Sequence, residues 1–229
     1  MWHILKSGET WKGEIKNKRK DGSFYWVDAK ISPIFNNKME ITGYTSIRHD
    51  ITDKKRVEEL SITDELTGLY NRRHFNKVFE DEINRAKRDG HALALIIFDV
   101  DCFKQYNDNY GHPKGDIVLK EIGKTIKTLA KRSSDYAFRI GGEEFAVIFT
   151  PHFKETAIDF AEIIRKEIES LQIEHRFNKA SNYITVSIGL YSENGNKLED
   201  AEAIYNHTDD ALYEAKESGR NKFVLYEKK

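Results

Sequence analysis

The sequence predicts an α+β fold, in which helices flank a mostly antiparallel sheet and a small three-stranded β segment comes first. Three observations carry this prediction. Residues 1 to about 50 show only strand and turn patterns. Residues 92–98 form an apolar run that is typical of a buried strand. The later elements follow the order strand, helix, hairpin, helix and strand, which indicates a ferredoxin-like arrangement with helices on both faces.

The first 52 residues are predicted to form three strands joined by two turns. The turn signals are Lys20-Asp21-Gly22-Ser23 and Asn36-Asn37. The predicted strands cover 11–15, 24–35 and 41–51. In the second strand one face is apolar, and its members are Tyr25, Val27, Ala29 and Ile31. The basic run 16–20 could contact nucleic acid, but its place beside a turn favours a solvent-exposed flank.

Residues 53–62 are predicted to be a short helical linker, because their only apolar residues are Val57, Leu60 and Ile62. Thr63 and Asp64 supply the cap of a helix that reaches about Arg88, with a break near Gly68. The other predicted elements are a strand at 91–100, helices at 103–109 and 114–131, a central hairpin, a helix at 154–171, a strand at 183–191, a helix at 198–217 and a strand at 223–226.

The composition and the absence of certain motifs exclude or disfavour several classes of function. Lys plus Arg (37) nearly equal Asp plus Glu (38), so no overall field favours nucleic acid or an anionic membrane. The single cysteine, Cys102, excludes an internal disulfide framework and favours the reducing cytoplasm. The sequence contains no signal-peptide pattern and no apolar stretch of membrane-spanning length. It also lacks a Gly-x-x-x-x-Gly-Lys-Ser/Thr motif, so a P-loop is excluded as the way of holding phosphates.

The central hairpin carries the motif Gly141-Gly142-Glu143-Glu144-Phe145. A Gly-Gly pair between two strands predicts a two-residue turn with positive φ at both glycines. The adjacent carboxylates of Glu143 and Glu144 repel each other, and a nearby cation would relieve that repulsion. Taken alone, the motif is equally consistent with a polar hairpin tip that points to solvent.

Asp99 ends the predicted buried strand, at a sheet edge where ligands usually collect. It could instead cap the helix that follows. If the hairpin lies beside this strand, Asp99 and Glu144 converge. Hard cations such as Mg²⁺ take two or three protein oxygens and complete their shell with phosphate or water.

Several blocks in order resemble the GGDEF family of diguanylate cyclases over about residues 61–229. The matching blocks are Asp64–Leu69, Asn71–Arg73, Asp99–Asp101, Phe103-Lys104, Asn107-Asp108, Gly111-His112, Gly115-Asp116, Gly141–Phe145, Ser187–Gly189, Ala211–Tyr213, Ala215-Lys216 and Gly219–Asn221. The resemblance implies a nucleotidyl-cyclase palm that joins two GTP into cyclic di-GMP and releases two pyrophosphates. It also implies a homodimer, because one domain holds one GTP and two must face each other.

The resemblance implies a role for each matching residue. Asp99 and Glu144 would ligate Mg²⁺, or alternatively Mn²⁺, with the carbonyl of Val100. Glu143 would be the candidate base for the attacking 3′-hydroxyl. The residues implied to bind GTP are Cys102, Phe103 and Lys104 at the phosphates, Asn107 and Asp116 at the guanine edge, Gly142, and Lys216 and Arg220 at the terminal phosphate. Without the other blocks, Lys216 and Arg220 would read as a solvated helix end and Asn107 as a cap.

Arg132 and Asp135 stand at the spacing from Gly141 where the family has its inhibitory product site. The alternative is an ordinary ion pair or cap at a helix end. The implied function is therefore a product-inhibited diguanylate cyclase. The alternatives are a catalytically silent module that binds GTP or cyclic di-GMP, and a purely structural dimerisation module. An enzyme making hybrid cyclic AMP-GMP is disfavoured, because relatives that do so replace the residue at Asp116.

Residues 1–52 resemble the C-terminal half of a PAS domain. The match rests on Gly13-Glu14, Lys20–Ser23, Trp26-Val27 and Asp50-Ile51-Thr52. The strands and helices that wall a PAS ligand cavity are missing, so this segment is expected to be the end of a longer sensor. An open three-stranded sheet would expose an apolar face, which favours pairing with another copy. The expected domains are 1–52, the linker 53–62, and 63–229.

Overall fold

The computed structural model describes residues 1–227, with the backbone alone at residues 59–61. The predicted linker residue Leu60 and the last two residues of the predicted second domain therefore lie outside the described side chains. The chain divides into two compact units, residues 1–61 and residues 62 onward.

The first unit is a three-stranded antiparallel sheet in the order β1-β2-β3. Its strands are β1 (Trp11–Lys18), β2 (Phe24–Phe35) and β3 (Ile41–Asp50). Val27, Ala29 and Ile31 of β2 are buried, as their shared face predicts. A five-residue helix, α1 (Trp2–Lys6), adds the buried Leu5 and was not predicted, because so few residues show no period. Helix α2 (Thr52–Ile62) follows β3 and confirms that the segment 53–62 is helical.

The second unit is built on a six-stranded sheet in the order β4-β6-β7-β5-β8-β9. Its strands are β4 (Tyr70–Asn71), β5 (Ala92–Val100), β6 (Tyr136–Arg139), β7 (Glu144–Phe149), β8 (Val186–Asn194) and β9 (Phe223–Leu225). Its helices are α3 (Arg72–Asp89), α4 (Phe103–Tyr110), α5 (His112–Leu129), α6 (Lys154–Glu169) and α7 (Ala201–Glu217). β5 is antiparallel to both β7 and β8, whereas the pairs β4–β6 and β8–β9 are parallel. The predicted α+β class is confirmed.

Strand β5 separates two hydrophobic cores, because its successive side chains point to opposite faces of the sheet. Ala94, Ile96 and Phe98 pack in the core that holds the apolar faces of α5 and α6. Leu93, Leu95 and Ile97 pack in the core that holds those of α3 and α7. Helices therefore cover both faces, as predicted. Among the described helices, none combines the length and the apolar composition that crossing a bilayer requires.

The predicted start of the helix that becomes α3 is wrong. The segment after Asp64 closes a turn of its own, in which Asp64 accepts hydrogen bonds from the backbone N–H (2.8 Å) and hydroxyl (2.7 Å) of Thr67. Gly68 then has a φ of +68°, which interrupts any helix. The cap of α3 is Asn71, whose side chain accepts from the N–H of His74 at 3.1 Å.

The predicted two-residue turn at the Gly-Gly pair is also wrong. Arg139 pairs with Phe145, and the N–H groups of Ile140 and Gly141 both donate to the carbonyl of Glu144, at 2.9 and 3.3 Å. The turn is therefore wider, and neither Gly141 nor Gly142 has a positive φ. A Cβ at position 141 would lie 2.4 Å from Oε2 of Glu144, so the Glu144 carboxylate lies close beside Gly141.

Candidate functional site

Three carboxylates meet where the central strand β5 ends. Asp99 lies directly opposite Glu144 in the register of β5 and β7, and the N–H of Val100 donates to the carbonyl of Glu143 at 3.3 Å. Residues opposite each other in an antiparallel pair have Cβ atoms about 5 Å apart. The predicted convergence of Asp99 and Glu144 is thus confirmed. Asp99 does not cap α4, whose cap position is Cys102.

The surroundings of Asp99 disfavour the charged form of its carboxylate. Burial raises its pKa to about 6; the ammonium of Lys216 opposes this rise, and the charges of Glu143 and Glu144 add to it. The Nζ atom of Lys216 lies 3.1 Å from Oδ1 of Asp99, whose side chain is 14% exposed. A further cation at this position would favour the ionised form of Asp99.

The neighbouring Asp101 is buried and fully engaged. It accepts hydrogen bonds from the hydroxyls of Thr185 (2.7 Å) and Ser187 (2.6 Å) and from the N–H of Asn221 (3.0 Å). These bonds join the end of β5 to the start of β8 and to the loop after α7. In that loop Arg220 and Asn221 have φ values of +63° and +47°. Asp101 therefore holds the loop that carries Arg220, a function that its motif alone did not reveal.

The turn from β5 into α4 places the start of helix α4 close to Asp99 at the end of β5. Cys102 has a φ of +55°, and Phe103 and Lys104 are the first residues of α4. The first N–H groups of a helix lack intrahelical acceptors and attract anions. The carbonyl of Cys102 accepts from Nε2 of His175 at 3.1 Å. His175 is fully buried, burial lowers its pKa, and the sequence did not point to it.

A cavity of about 210 Å³ lies between these elements. Its basic lining residues are Lys104, Lys179, Lys216 and Arg220, and its acidic ones are Asp99, Asp101 and Glu143. Val100, Cys102, Phe103 and Gln105 complete the lining. The structure thus brings most of the predicted metal and phosphate residues around one cavity. Lys179 joins them without having been predicted.

The two predicted guanine-reading residues lie on α4 and α5, outside the lining of this cavity. A Cβ on Gly115 would lie 2.0 Å from Oδ1 of Asn107, so the Asn107 amide packs against α5 directly beside Asp116. That Oδ1 is buried and has no hydrogen-bond partner among the described residues, whereas Asp116 is exposed. Neither α4 nor α5 has a side-chain cap, so the alternative of Asn107 as a cap is excluded.

Gly142 lies in a second cavity, of about 370 Å³, that also contains Asp64 and Arg139. The guanidinium of Arg139 donates to the carbonyl of Gly142 through Nε (3.0 Å) and Nη2 (2.8 Å). Its Nη1 donates to both oxygens of Asp64, at 3.1 and 3.2 Å. Although burial opposes it, hydrogen bonds from Thr67 and Arg139 lower the pKa of Asp64. Arg139 thus connects the Gly-Gly turn to the turn before α3.

Arg132 and Asp135 form a turn between α5 and β6. The N–H of Arg132 donates to Oδ2 of Asp135 at 3.1 Å, and the N–H of Asp135 donates to the carbonyl of Arg132 at 3.0 Å. Burial raises the pKa of Asp135, and the hydrogen bond from Arg132 opposes that rise. In the described part of the chain the link is therefore made by the Arg132 backbone, and no ion pair of its guanidinium is found. The four residues of β6, about 13 Å of strand, separate this turn from the Gly-Gly turn.

The end of β5 offers oxygen donors of the kind that bind a divalent metal. In the described part of the chain no group of three or more His, Cys, Asp or Glu side chains could hold a metal ion by itself. Mg²⁺ is usually bound by one or two carboxylates together with substrate phosphates. Asp99, Glu144 and the carbonyl of Val100 are oxygen donors of that kind, and the ammonium of Lys216 already partly neutralises Asp99.

Two family models match the sequence of this chain. The family model described as "Diguanylate cyclase, GGDEF domain" matches residues 61–222, and a PAS domain model matches residues 1–53. The first match covers well over half of the chain. The chain therefore belongs to the GGDEF family, with a PAS segment ahead of the GGDEF domain, as the motifs predicted.

Curated relatives carry the same domain. Diguanylate cyclase DgcM of Escherichia coli is 37% identical over 216 residues, covering 91% of this chain and 49% of the relative. Diguanylate cyclase A of Treponema denticola is 39% identical over 188 residues, covering 81% of this chain and 50% of the relative. The chain thus spans about half the length of these relatives.

Solved structures agree with the fold. The coiled coil and GGDEF domain of DgcB from Caulobacter crescentus, in complex with c-di-GMP, superposes with a TM-score of 0.68 at 31% identity, covering 76% of this chain and 90% of that one. The active GGEEF domain of a diguanylate cyclase from Vibrio cholerae superposes with a TM-score of 0.60 at 35% identity, covering 69% and 98%. The Vibrio domain is described by the GGEEF motif that this chain also has.

Proposed function

We propose that the chain is a diguanylate cyclase, which condenses two GTP into cyclic di-GMP and releases two pyrophosphates. The observation that carries the proposal is the cavity at the end of β5, where Asp99 and Glu143 face Lys104, Lys216 and Arg220. Mixed charge of this kind suits a polyphosphate accompanied by a divalent cation. Membership of the GGDEF family supports the same reaction.

Different residues of the site would bind the phosphates, the guanine base and the metal ion. The basic side chains Lys104, Lys216 and Arg220 bind the phosphates and neutralise their charge. Asn107 and Asp116 read the guanine edge. Asp99, Glu144 and the carbonyl of Val100 hold Mg²⁺, with Mn²⁺ as the alternative. When bound, the metal supplies positive charge at the α-phosphate and lowers the pKa of the attacking 3′-hydroxyl.

Glu143 is proposed to orient the 3′-hydroxyl of the second GTP. Its charge acts on Asp99, so it lies within electrostatic reach of the metal ligands. A carboxylate beside cations is a weak proton acceptor, so orientation of the hydroxyl is its main contribution and proton transfer a smaller one. Each domain would hold one GTP, so the reaction requires a homodimer with two sites facing each other.

Arg132 and Asp135 are proposed to bind the product. The guanidinium of Arg132 is an exposed planar fork that suits a phosphate or the Hoogsteen edge of guanine, and Asp135 can accept from guanine N–H groups. Because β6 separates this turn from the Gly-Gly turn, binding there leaves the GTP site open. Inhibition would then act by holding two domains in an unproductive arrangement.

The test is incubation of the purified chain with GTP and Mg²⁺, followed by identification of the product by mass spectrometry. Cyclic di-GMP and pyrophosphate are expected, and specific activity should rise with protein concentration because a dimer is required. A chelator and an ATP incubation serve as controls. A chain that is stabilised by GTP but forms no product would instead be a silent binding module.

A further inference from the structure

Lys179 is the one basic residue of the β5 cavity that neither the motifs nor the family resemblance pointed to. It lines the cavity together with Lys104, Lys216 and Arg220. The ammonium of Lys216 is paired with Asp99 at 3.1 Å. Lys179 is exposed, and in the described part of the chain no carboxylate forms an ion pair with it. Its charge is therefore available to an anion that enters the cavity.

The backbone on both sides of Lys179 is held by one side chain. Asn178 donates through Nδ2 to the carbonyl of Tyr183 (2.7 Å) and to the hydroxyl of Thr185 (2.9 Å). Its Oδ1 accepts from the N–H of Ala180 at 3.1 Å. The residues immediately before and after Lys179 are thus held against the segment that leads into β8. The backbone at Lys179 therefore has a defined position.

The segment that carries Lys179 is also joined to the turn after β5. His175 donates from Nε2 to the carbonyl of Cys102 at 3.1 Å, and Thr185 donates to Oδ2 of Asp101 at 2.7 Å. Cys102 and Asp101 both line the cavity. The position of Lys179 is therefore set relative to the turn from β5 into α4, which lines the cavity.

We propose that Lys179 binds the triphosphate of the nucleotide substrate, as an additional phosphate-binding residue of the site. The inference rests on the proposed function. The basic side chains of the cavity come from four parts of the chain: α4, segment 174–183, α7 and the loop after α7. Cations on several sides of a cavity that also holds Asp99 and Glu143 suit a ligand with several negative charges. An ammonium on a long stem can follow such a chain without fixed geometry.

The experiment compares Lys179→Met, which removes the charge and keeps the length, with Lys179→Arg, which keeps the charge. Lys87→Met is the matched control, because Lys87 is exposed near the end of α3, at the opposite end of β5 from the cavity. Calorimetry measures binding of GMP and of a GTP analogue with a methylene between the α- and β-phosphorus, both with Mg²⁺. This analogue cannot release pyrophosphate, so binding is measured without turnover.

Lys179→Met should weaken binding of the analogue about three- to tenfold, the range for a partly exposed charge-assisted contact. GMP binding should change by less than about twofold, because the lost contact is to the outer phosphates. Lys179→Arg and Lys87→Met should bind the analogue as the wild type does. The affinity of the wild type should also fall more steeply with KCl than that of Lys179→Met.

Equal affinity of the analogue for wild type and Lys179→Met would overturn the inference, and so would an equal weakening of GMP, which indicates a general change of the site. Product formation from GTP is measured in parallel. A wild type that makes cyclic di-GMP while Lys179→Met binds normally refutes the inference alone. A wild type that makes none, while Lys179→Met still weakens the analogue, refutes the proposed activity alone.

Discussion

Arg139 and Asp64 lie 75 residues apart in sequence, and the Nη1 of Arg139 bonds to both carboxylate oxygens of Asp64. The same guanidinium donates twice to the carbonyl of Gly142. One side chain therefore fixes the Gly-Gly turn against the segment that precedes α3. Both side chains are largely buried, so the pair is shielded from solvent.

Asp64→Asn should loosen the Gly-Gly turn, because an amide cannot replace both charge-assisted bonds to Arg139. We expect a loss of about 1–3 kcal/mol in the free energy of unfolding and a lower kcat for cyclic di-GMP formation. Urea denaturation and steady-state kinetics measure the two effects. Asp81→Asn, an exposed position on α3, is the control. An unchanged kcat in Asp64→Asn would show that the turn needs no such anchor.

Asp99→Asn should abolish cyclic di-GMP synthesis and still leave a folded protein, because it removes metal-ligand charge. The raised pKa of Asp99, about 6, means that the folded state binds its proton more tightly than the unfolded state. The stability contributed by protonation is present at low pH and is lost as pH rises from about 4 to about 6.

The metal-free variant Asp99→Asn should therefore be more stable than wild type at pH 7.5, by about 1–3 kcal/mol, and nearly equal to it at pH 4. Urea denaturation with a chelator present measures this difference. Asp159→Asn, at an exposed position on α6, should show no such pH dependence. Near-wild-type turnover of Asp99→Asn at saturating Mg²⁺ would mean that the metal lies elsewhere.

Asp116→Ser should relax the preference for GTP over ATP, since the carboxylate that accepts from the guanine N–H edge is what disfavours adenine. Asp116 is exposed in the nucleotide-free protein, so the substitution should leave stability nearly unchanged. A competition assay with both nucleotides measures the preference. Asp108→Ser, an exposed position on α4, should keep it. A preference that survives Asp116→Ser would transfer base reading to other groups.

Arg132→Ala should prolong the linear phase of product formation and leave the initial rate similar. The side chain lies beyond β6 from the Gly-Gly turn, so its loss should affect product feedback and not GTP binding. Progress curves in excess GTP, with and without added cyclic di-GMP, measure the effect. The neighbouring exposed Lys131→Ala is the control. Equal curvature in wild type and Arg132→Ala would make Arg132 and Asp135 an ordinary turn.

The sequence predicts well those parts of the fold that have a strong local period. The apolar run 92–98, just before Asp99, has the length and composition typical of a buried strand, and β5 is found there inside the sheet, between β7 and β8. The stretch from Asp64 to Leu69, in contrast, is predicted to begin a helix but forms the turn closed by Asp64. Leu69 is buried after this turn, so burial of an apolar residue alone does not distinguish a turn from a helix.

The roles that the sequence did not reveal depend on contacts between residues that lie far apart in the chain. Asp101 bonds to Thr185, 84 residues away, and His175 bonds to Cys102, 73 residues away. Lys179 lines the cavity from a segment that these contacts join to the turn after β5. Such contacts depend on the tertiary arrangement, which local propensity and spacing do not contain. The resemblance to a family could locate shared motifs, but Lys179 lies outside every one of them.

Cys102 is the single position in this chain at which a thiol reagent can react. It is the only cysteine of the sequence, it is partly exposed, and it lines the cavity at the end of β5. A thiol-reactive fluorophore would therefore attach at one place, beside the groups that are proposed to hold the phosphates. Occupancy of the site could be followed by optical spectroscopy in the native sequence, with no residue added or removed.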